Sequence, residues 1–219
     1  MQKFDHTVAI KICGITNVAD ALDCAAAGAD MIGLNFSALS LRCITPATAA
    51  QIIAAVRPQF SQVKFVGVFV DQELALLREI ATDLFLDAVQ LHGAETPEYA
   101  RQLNLPFVIK GLRVGPDFSA AAATNFPSDA ILLDTYNVLL PGGTGETFPW
   151  SVATDLRVER LILAGGLTSE NVAGAIRQVK PFAVDVCSGV EATPRRKDRA
   201  KVQEFVESVR AVERASFIP

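Results

Sequence analysis

The chain has 219 residues, of which 50% are hydrophobic and 20% charged, and its formal net charge is −4. This length suits a single domain over residues 1–219 that buries its core without a metal or a disulfide. The apolar runs are far shorter than the roughly 20 residues of a membrane span, and the basic residues are dispersed, so neither a membrane nor nucleic acid is expected as a partner.

Eight short apolar runs recur along the chain, and their nearly continuous hydrophobicity is typical of parallel strands buried on both faces. Segments with the spacing of amphipathic helices separate them, as in the first, seventh and last of these segments. The predicted strands cover residues 8–13, 31–36, 64–70, 88–92, 107–112, 130–134, 161–164 and 183–186.

Polar residues and a glycine mark where helices begin and end. Asn17, with Asp20 three residues further on, is predicted to cap the first helix, and Gly28 is predicted to end it. Thr45 and Thr96 are each followed by proline, which is tolerated in the first turn of a helix. They are therefore predicted to open the second and fourth helices.

Strands and helices that alternate along the whole chain predict an α/β fold, and about eight of each predict a single-domain (β/α)8 TIM barrel. An open doubly wound sheet shows the same alternation, so periodicity leaves it as the alternative. The fifth and sixth helical segments, residues 117–123 and 150–154, are short, which weakens the count of eight helices.

The cysteines and histidines indicate a reducing compartment and no metal site. Four cysteines without Cys-x-x-Cys spacing favour free thiols over a disulfide framework. Two histidines without ligand spacing give no zinc signal, and P-loop spacing is absent, so we expect no cofactor. Residues 1–6 lack the apolar region of a secretory signal, and we expect a cytoplasmic protein.

Six short motifs occur in order along the chain: KICGIT at 11–16, QLHG at 90–93, LLD at 132–134, PGGTG at 141–145, LAGGL at 163–167 and DVCSGVE at 185–191. In this order and with these intervals they resemble the phosphoribosylanthranilate isomerase family, from about residue 8 to the final helix. The resemblance implies a (β/α)8 barrel that needs no cofactor. It also implies the Amadori rearrangement of N-(5-phosphoribosyl)anthranilate, a step of tryptophan biosynthesis.

The resemblance implies a role for each matching position. Cys13 matches the general base that removes the proton at C2′, and Asp134 matches the general acid that protonates the ring oxygen. Arg42 matches the arginine that pairs with the anthranilate carboxylate, for which a planar two-pronged donor is well suited. The loops after strands seven and eight match the phosphate site, where we expect Gly166, Ser188 and Gly189 to bind and Asp185 to orient neighbouring groups or the substrate amine.

The ordinary pKa values of a thiol and a carboxyl group oppose these two catalytic roles. A thiol near 8.5 and a carboxyl near 3.9 favour a neutral Cys13 and an ionised Asp134 at pH 7. Desolvation raises a carboxyl pKa, and backbone amides and nearby cations lower a thiol pKa, so the roles that the resemblance implies require both shifts at this site. A pH–rate profile does not separate the two assignments, because both forms of the pair hold the same number of protons.

Four positions depart from the family pattern. Leu41 stands where proline is usual, so we expect the loop that presents Arg42 to be less rigid. Ala94 replaces an acidic residue, and Cys187 replaces a serine or asparagine. Arg195 stands where glycine is common, and we expect it to alter how the eighth loop closes over phosphate.

Several nearby side chains have simpler interpretations. The segment 142–145 is expected to close over the substrate as a flexible loop. His92 is expected to form a wall of the site, and Lys110 and Arg113 to be solvated or ion-paired. The basic run 195–197 is typical of a solvated loop.

Two other functions stay open at this point. The first is another phosphosugar isomerase or epimerase on a similar barrel, although such enzymes often use paired carboxylates or metal-binding histidines. The second is a non-catalytic barrel that binds phosphate as a partner subunit, which does not require Cys13, Asp134 and Arg42 together. Apolar helix faces suit barrel packing and subunit contacts equally, so both a monomer and a homodimer are compatible with the sequence.

Overall fold

The computed structural model describes residues 8–135 and 147–216. Its strands are β1 Ala9–Ile12, β2 Met31–Asn35, β3 Lys64–Phe69, β4 Ala88–Leu91, β5 Val108–Val114, β6 Ala130–Thr135, β7 Leu161–Leu163 and β8 Ala183–Val186. Its helices are α1 Val18–Ala27, α2 Pro46–Val56, α3 Leu74–Asp83, α4 Pro97–Leu103, α5 Ala120–Thr124, α6 Ser151–Thr154, α7 Val172–Val179 and α8 Arg199–Ser216. A turn of 3-10 helix, Ser188–Val190, and a hairpin of β9 Glu191–Thr193 and β10 Arg196–Lys197 lie between β8 and α8.

The first and last strands of the sheet pair with each other, which closes it into a barrel. β1 runs parallel to β8, with Ala9 opposite Ala183 and Ile12 opposite Val186. All other neighbouring strands are parallel and consecutive in the chain. The predicted (β/α)8 barrel is therefore confirmed, and the open sheet is excluded because such a sheet leaves two unpaired edges.

The predicted helix caps are confirmed. The side chain of Asn17 accepts a hydrogen bond from the backbone N–H of Asp20, and Gly28 ends α1 with a φ of 104°. Thr45 and Thr96 cap α2 and α4 in the same way. The fifth helix begins later than predicted because Ser119 caps it by accepting from the N–H of Ala122.

Two apolar cores hold the barrel together. The larger lies between the strands and the surrounding helices. The smaller takes residues from all eight strands and from no helix, and it fills the inside of the barrel. Alternate residues of a strand point to opposite faces, so Ile10 and Ile12 belong to the outer core and Ala9 to the inner one.

Polar side chains replace this inner core toward the carboxyl ends of the strands, where Lys11, Gln90, Lys110 and Asp185 are buried. All four cysteines lie in the described residues and are free thiols. Within the described residues, no helix is both long and apolar enough to cross a membrane. The predicted closing loop at 142–145 lies outside the described residues.

Candidate active site

One pocket opens at the carboxyl ends of the strands, and all the residues singled out from the sequence line it. They come from the ends of five strands and the loops that follow them. These residues are Cys13, Arg42, Asp134, Gly166, Asp185, Ser188 and Gly189. His92 also lines the pocket, as expected for a wall, and so does Arg113.

Cys13 is held where β1 ends. Its backbone N–H donates to the carbonyl oxygen of Val186 at 2.8 Å, which continues the pairing of β1 with β8. Gly33 lies opposite the thiol, and a Cβ atom at that position would be 2.7 Å from Cys13 Sγ. The absence of a side chain at position 33 therefore leaves room for the sulfur in the pocket.

A buried ion pair lies directly beneath the thiol. Lys11 precedes Cys13 by two residues, so both side chains point into the barrel. Lys11 Nζ donates to Asp185 Oδ2 at 2.9 Å, and the lysine side chain is fully buried. The other carboxylate oxygen, Oδ1, is buried without a hydrogen-bond partner among the described residues. That oxygen is a vacant acceptor on a residue that lines the pocket.

Lys11 was missed as a site residue, although the sequence carried a signal for it. A lysine inside an apolar strand needs a counter-charge, because an unpaired buried ammonium is very costly. Its position two residues before Cys13 also places it on the face that carries the thiol. The partner was harder to identify, since Asp185 is 174 residues away in the chain.

Burial dominates the protonation of these groups. Burial raises the pKa of Cys13 to about 12. The negative charge of Asp185 also raises this pKa, whereas the positive charge of Lys11 lowers it. Burial also raises the pKa of Asp185 above its ordinary value, and Lys11 only partly offsets it. Burial alone lowers the pKa of Lys11, but Asp185 and Cys13 raise it overall. The pKa of the thiol is therefore raised and not lowered, because desolvation outweighs the nearby cation.

This raised pKa predicts an unusual alkylation profile. Only the thiolate reacts with iodoacetamide, so the rate at Cys13 should keep rising up to about pH 10, whereas an ordinary thiol levels off soon after its pKa of about 8.5. Mass spectrometry of the peptide that carries Cys13 gives the rate at each pH, with free N-acetylcysteine as the reference. A plateau at Cys13 as early as that of the reference would contradict a thiol dominated by burial.

Asp134 lies close to a histidine that also contacts a glutamine. Gln90 Nε2 lies 2.9 Å from His92 Nδ1, and His92 Nε2 lies 3.4 Å from Asp134 Oδ2. Gly111 leaves room for this ring, because a Cβ there would collide with His92 Nδ1. This contact was not predicted.

Arg42 forms an ion pair with a carboxylate of the protein itself. Its Nε and Nη2 donate to Glu191 Oε1 and Oε2 at 3.2 and 2.6 Å. Burial disfavours the charged form of Glu191, yet the hydrogen bonds from Arg42 and the charge of Lys197 lower its pKa overall. A guanidinium has five N–H donors. Among the described residues the other three, on Nη1 and Nη2, have no acceptor, and they suit a second carboxylate that approaches end-on.

Two glycine turns follow β7 and β8. Gly165 and Gly166 have φ values of 84° and 62°, which disfavour other residues. Gly189 packs against the carbonyl oxygen of Leu167, and a Cβ there would collide with it. Ser188 begins the 3-10 helix, and the first amides of a helix have no partner within it. Turns of this kind let backbone N–H groups come close to a ligand, as in anion-binding loops.

At two of the positions that depart from the family pattern, Ala94 and Cys187, the backbone forms a hydrogen bond with a neighbouring side chain. Ala94 uses only its backbone, whose N–H donates to Asp71 Oδ1 at 2.7 Å. Cys187 lines the pocket, and its carbonyl oxygen accepts from Lys197 Nζ at 2.9 Å. Lys197 is almost fully buried and also contacts Glu191. The prediction of a solvated basic run at 195–197 is therefore wrong for Lys197, which neutralises a buried carboxylate.

Comparison with known proteins gives one consistent result. Residues 10–208 match the family model described as N-(5′-phosphoribosyl)anthranilate (PRA) isomerase. An N-(5′-phosphoribosyl)anthranilate isomerase from Pelobacter propionicus is 45% identical over 200 residues, which cover 91% of this chain and 94% of that protein. A solved phosphoribosyl anthranilate isomerase from Thermotoga maritima is 41% identical with a TM-score of 0.85, covering 93% of this chain and 99% of that one.

One further solved structure carries a ligand. It is a phosphoribosyl anthranilate isomerase in complex with reduced 1-(o-carboxyphenylamino)-1-deoxyribulose 5-phosphate. This chain is 39% identical to it with a TM-score of 0.79, and the match covers 93% of this chain and 99% of that one.

Proposed function

Because this chain belongs to the N-(5′-phosphoribosyl)anthranilate isomerase family, we propose that its Cys13 and Asp134 carry out the two proton transfers of that family's reaction. The enzyme catalyses the Amadori rearrangement of N-(5-phosphoribosyl)anthranilate to 1-(2-carboxyphenylamino)-1-deoxyribulose 5-phosphate, a step of tryptophan biosynthesis. The observation that carries the residue assignment is that a thiol and a carboxylate line one pocket beside glycine turns suited to phosphate.

The first step opens the ribose ring. Asp134, as the acid, donates a proton to the ring oxygen, the C1′–O bond breaks, and the nitrogen lone pair forms a C1′=N⁺ double bond. Cys13, as the base, then removes the proton from C2′, and the electrons of that C–H bond form the C1′=C2′ double bond and neutralise the nitrogen. The resulting enol loses its hydroxyl proton and gains one at C1′, which gives the ketone product.

The raised thiol pKa sets how this pair is charged before the reaction. With its pKa raised to about 12 by burial, Cys13 is protonated at neutral pH. A thiol with a carboxylate holds as many protons as a thiolate with a carboxylic acid. One proton transferred from Cys13 to Asp134 therefore produces the reactive pair without exchange with solvent. Lys11, buried under the sulfur, stabilises the thiolate that forms.

Other groups of the pocket bind and orient the substrate. The amides at Gly166, Ser188 and Gly189 suit the phosphate, since positive φ and close approach expose backbone N–H groups. Asp185 accepts a hydrogen bond from the substrate's amine N–H; the lack of a partner for its Oδ1 among the described residues supports this role. His92, through its contact with Asp134, orients the acid.

Arg42 binds the anthranilate carboxylate with the donors that Glu191 leaves free. Arg42→Lys keeps the charge but loses the planar fork, so we expect KM to rise by about tenfold because one charge-assisted hydrogen bond is lost. The measurement is steady-state kinetics of the purified variant, and kcat should change little. A KM equal to that of the unchanged enzyme would remove Arg42 from substrate binding.

The activity is tested by generating phosphoribosylanthranilate in situ and following the decay of its fluorescence. The chain should accelerate this decay, and Cys13→Ala should accelerate it about 10²-fold to 10⁴-fold less. A barrel that only binds phosphate and a different phosphosugar isomerase would both leave the decay at the uncatalysed rate. That result would reject the proposal.

We further propose that the enzyme works in the cytoplasm as a monomer or a homodimer. Its free thiols and biosynthetic role support a reducing compartment. Sedimentation velocity at enzyme concentrations used for kinetics distinguishes the two assembly states.

A further inference from the structure

The loop that presents Arg42 is a tight turn with little packing of its own. The N–H of Cys43 donates to the carbonyl oxygen of Ser40 at 3.1 Å, so residues 40–43 form a β-turn. Leu41 occupies the second position, and its side chain is 59% exposed. Proline is favoured at that position because its ring fixes φ at the value the turn needs. With leucine at position 41, the turn has neither the fixed φ of a proline ring nor a buried side chain at this position to hold it.

A side chain from another loop reaches this turn. Arg195, in the hairpin between β9 and β10, donates from Nη1 to the carbonyl oxygens of Leu41 and Cys43 at 2.7 and 3.2 Å. These two carbonyl groups lie on either side of Arg42. The hydrogen bonds therefore connect the β2–α2 loop to the β8–α8 loop at the residue that presents its guanidinium to the pocket.

The backbone of Arg195 is also tied into the site, at a conformational cost. Its φ is 76°, in the left-handed region that favours glycine. Its carbonyl oxygen accepts from Thr16 Oγ1 at 2.7 Å, and its N–H points to Glu191 Oε1 at 3.4 Å. Glu191 is the carboxylate that holds the Arg42 fork. An arginine in this strained position is therefore connected to Arg42 through both its side chain and its backbone.

From these contacts we propose that Arg195 is a positioning residue for substrate binding: it holds the 40–43 turn, and with it Arg42, in place of a proline at position 41. This inference rests on the proposed role of Arg42 in binding the substrate carboxylate. Positions 41 and 195 are thereby linked: the exposed Leu41 does not hold the turn, and Arg195 holds it through two hydrogen bonds.

The test uses Arg195→Gly, which removes these two hydrogen bonds and also relieves the positive φ. We expect KM to rise about fivefold to tenfold, as the loss of two hydrogen bonds implies, with kcat within about twofold of the original. The melting temperature should stay level or rise, because the backbone strain is gone. Hydrogen exchange in residues 38–43 should be faster, and the affinity for reduced 1-(o-carboxyphenylamino)-1-deoxyribulose 5-phosphate, measured by calorimetry, should fall in parallel with KM.

Two further variants separate positioning from general charge. Arg196→Ala removes a neighbouring positive charge from an exposed side chain that forms no hydrogen bond or ion pair with the described residues, so its KM should not change. Adding Leu41→Pro to Arg195→Gly should restore KM, since proline fixes the turn directly. The N–H of Leu41 donates to no described residue, so proline removes no hydrogen bond there.

Each outcome decides the inference. A KM for Arg195→Gly equal to that for Arg196→Ala would overturn it, and so would a raised KM that Leu41→Pro does not restore. If Arg42→Lys raises KM while Arg195→Gly does not, the role of Arg42 in substrate binding stands. Only the positioning role of Arg195 is then rejected. If Arg42→Lys also leaves KM unchanged, both are rejected.

Discussion

Cys13→Ala and Asp134→Asn should each lower kcat by about 10²-fold to 10⁴-fold, with a much smaller change in KM. Each variant removes one proton-transfer group and leaves the carboxylate and phosphate sites of the pocket intact. The loss should therefore fall on the chemical step. Kinetics with substrate generated in situ measure both constants for each variant.

Matched controls are available in the same chain. Cys43→Ala removes a partly exposed thiol that does not line the pocket, and Asp155→Asn neutralises an exposed carboxylate beyond α6. Both should retain normal kcat. Near-normal turnover in Cys13→Ala or in Asp134→Asn would remove that residue from the mechanism, whatever its place in the pocket.

The second large effect concerns stability. Lys11→Met should lower the free energy of unfolding by about 3–5 kcal/mol, because it leaves Asp185 buried without its counter-charge. For a domain of this size that corresponds to a fall of roughly 6–20 °C in the melting temperature. Thermal and urea unfolding followed by circular dichroism measure the loss, and turnover should fall as well because the thiolate loses its cation.

A double variant separates the two consequences. Replacing a buried pair by apolar residues of similar size is often neutral for stability, so Lys11→Met with Asp185→Leu should melt close to the original protein. Its activity should remain low, since both the cation and the Oδ1 acceptor are gone. A double variant as unstable as Lys11→Met alone, or a single variant that melts normally, would contradict a stabilising role for this pair.

The pH dependence of Lys11→Met has a definite sign. Asp185 has a raised pKa in the folded protein, although the charge of Lys11 lowers it in part. Removal of Lys11 must therefore raise the pKa of Asp185 further. Between the ordinary aspartate pKa and this raised value the folded state binds more protons than the unfolded state, so stability decreases as pH rises. The deficit of Lys11→Met should therefore be smaller near pH 5 than near pH 8. An equal deficit at both values would contradict this explanation.

Local signals in the sequence predicted much of the fold. Alternating apolar runs located all eight strands, and Asn17 and Gly28 marked both ends of α1 because capping depends on neighbouring residues only. Closure of the barrel was not decided by periodicity, since it depends on pairing between β1 and β8. The same long-range pairing determines that Lys11 meets Asp185, which a local pattern does not reveal.

The sequence predicted which residues line the site better than it predicted the contacts between them. Motifs identified the residues that line the pocket, including Cys13 and Asp134. The contacts of Arg42 with Glu191 and of Asp134 with His92 join separate loops, so they emerge only in three dimensions. The direction of the Cys13 pKa shift was left open by the sequence, which does not show how deeply the thiol is desolvated.

The most direct test of the central claim is a crystal structure of this chain with reduced 1-(o-carboxyphenylamino)-1-deoxyribulose 5-phosphate. We expect Cys13 Sγ within about 3.5 Å of the carbon that corresponds to C2′, Asp134 within hydrogen-bond reach of the oxygen released from the ring, and the phosphate on the amides after β7 and β8. A ligand bound with its sugar turned away from the sulfur, or with both groups beside the same atom, would contradict the assignment of base and acid.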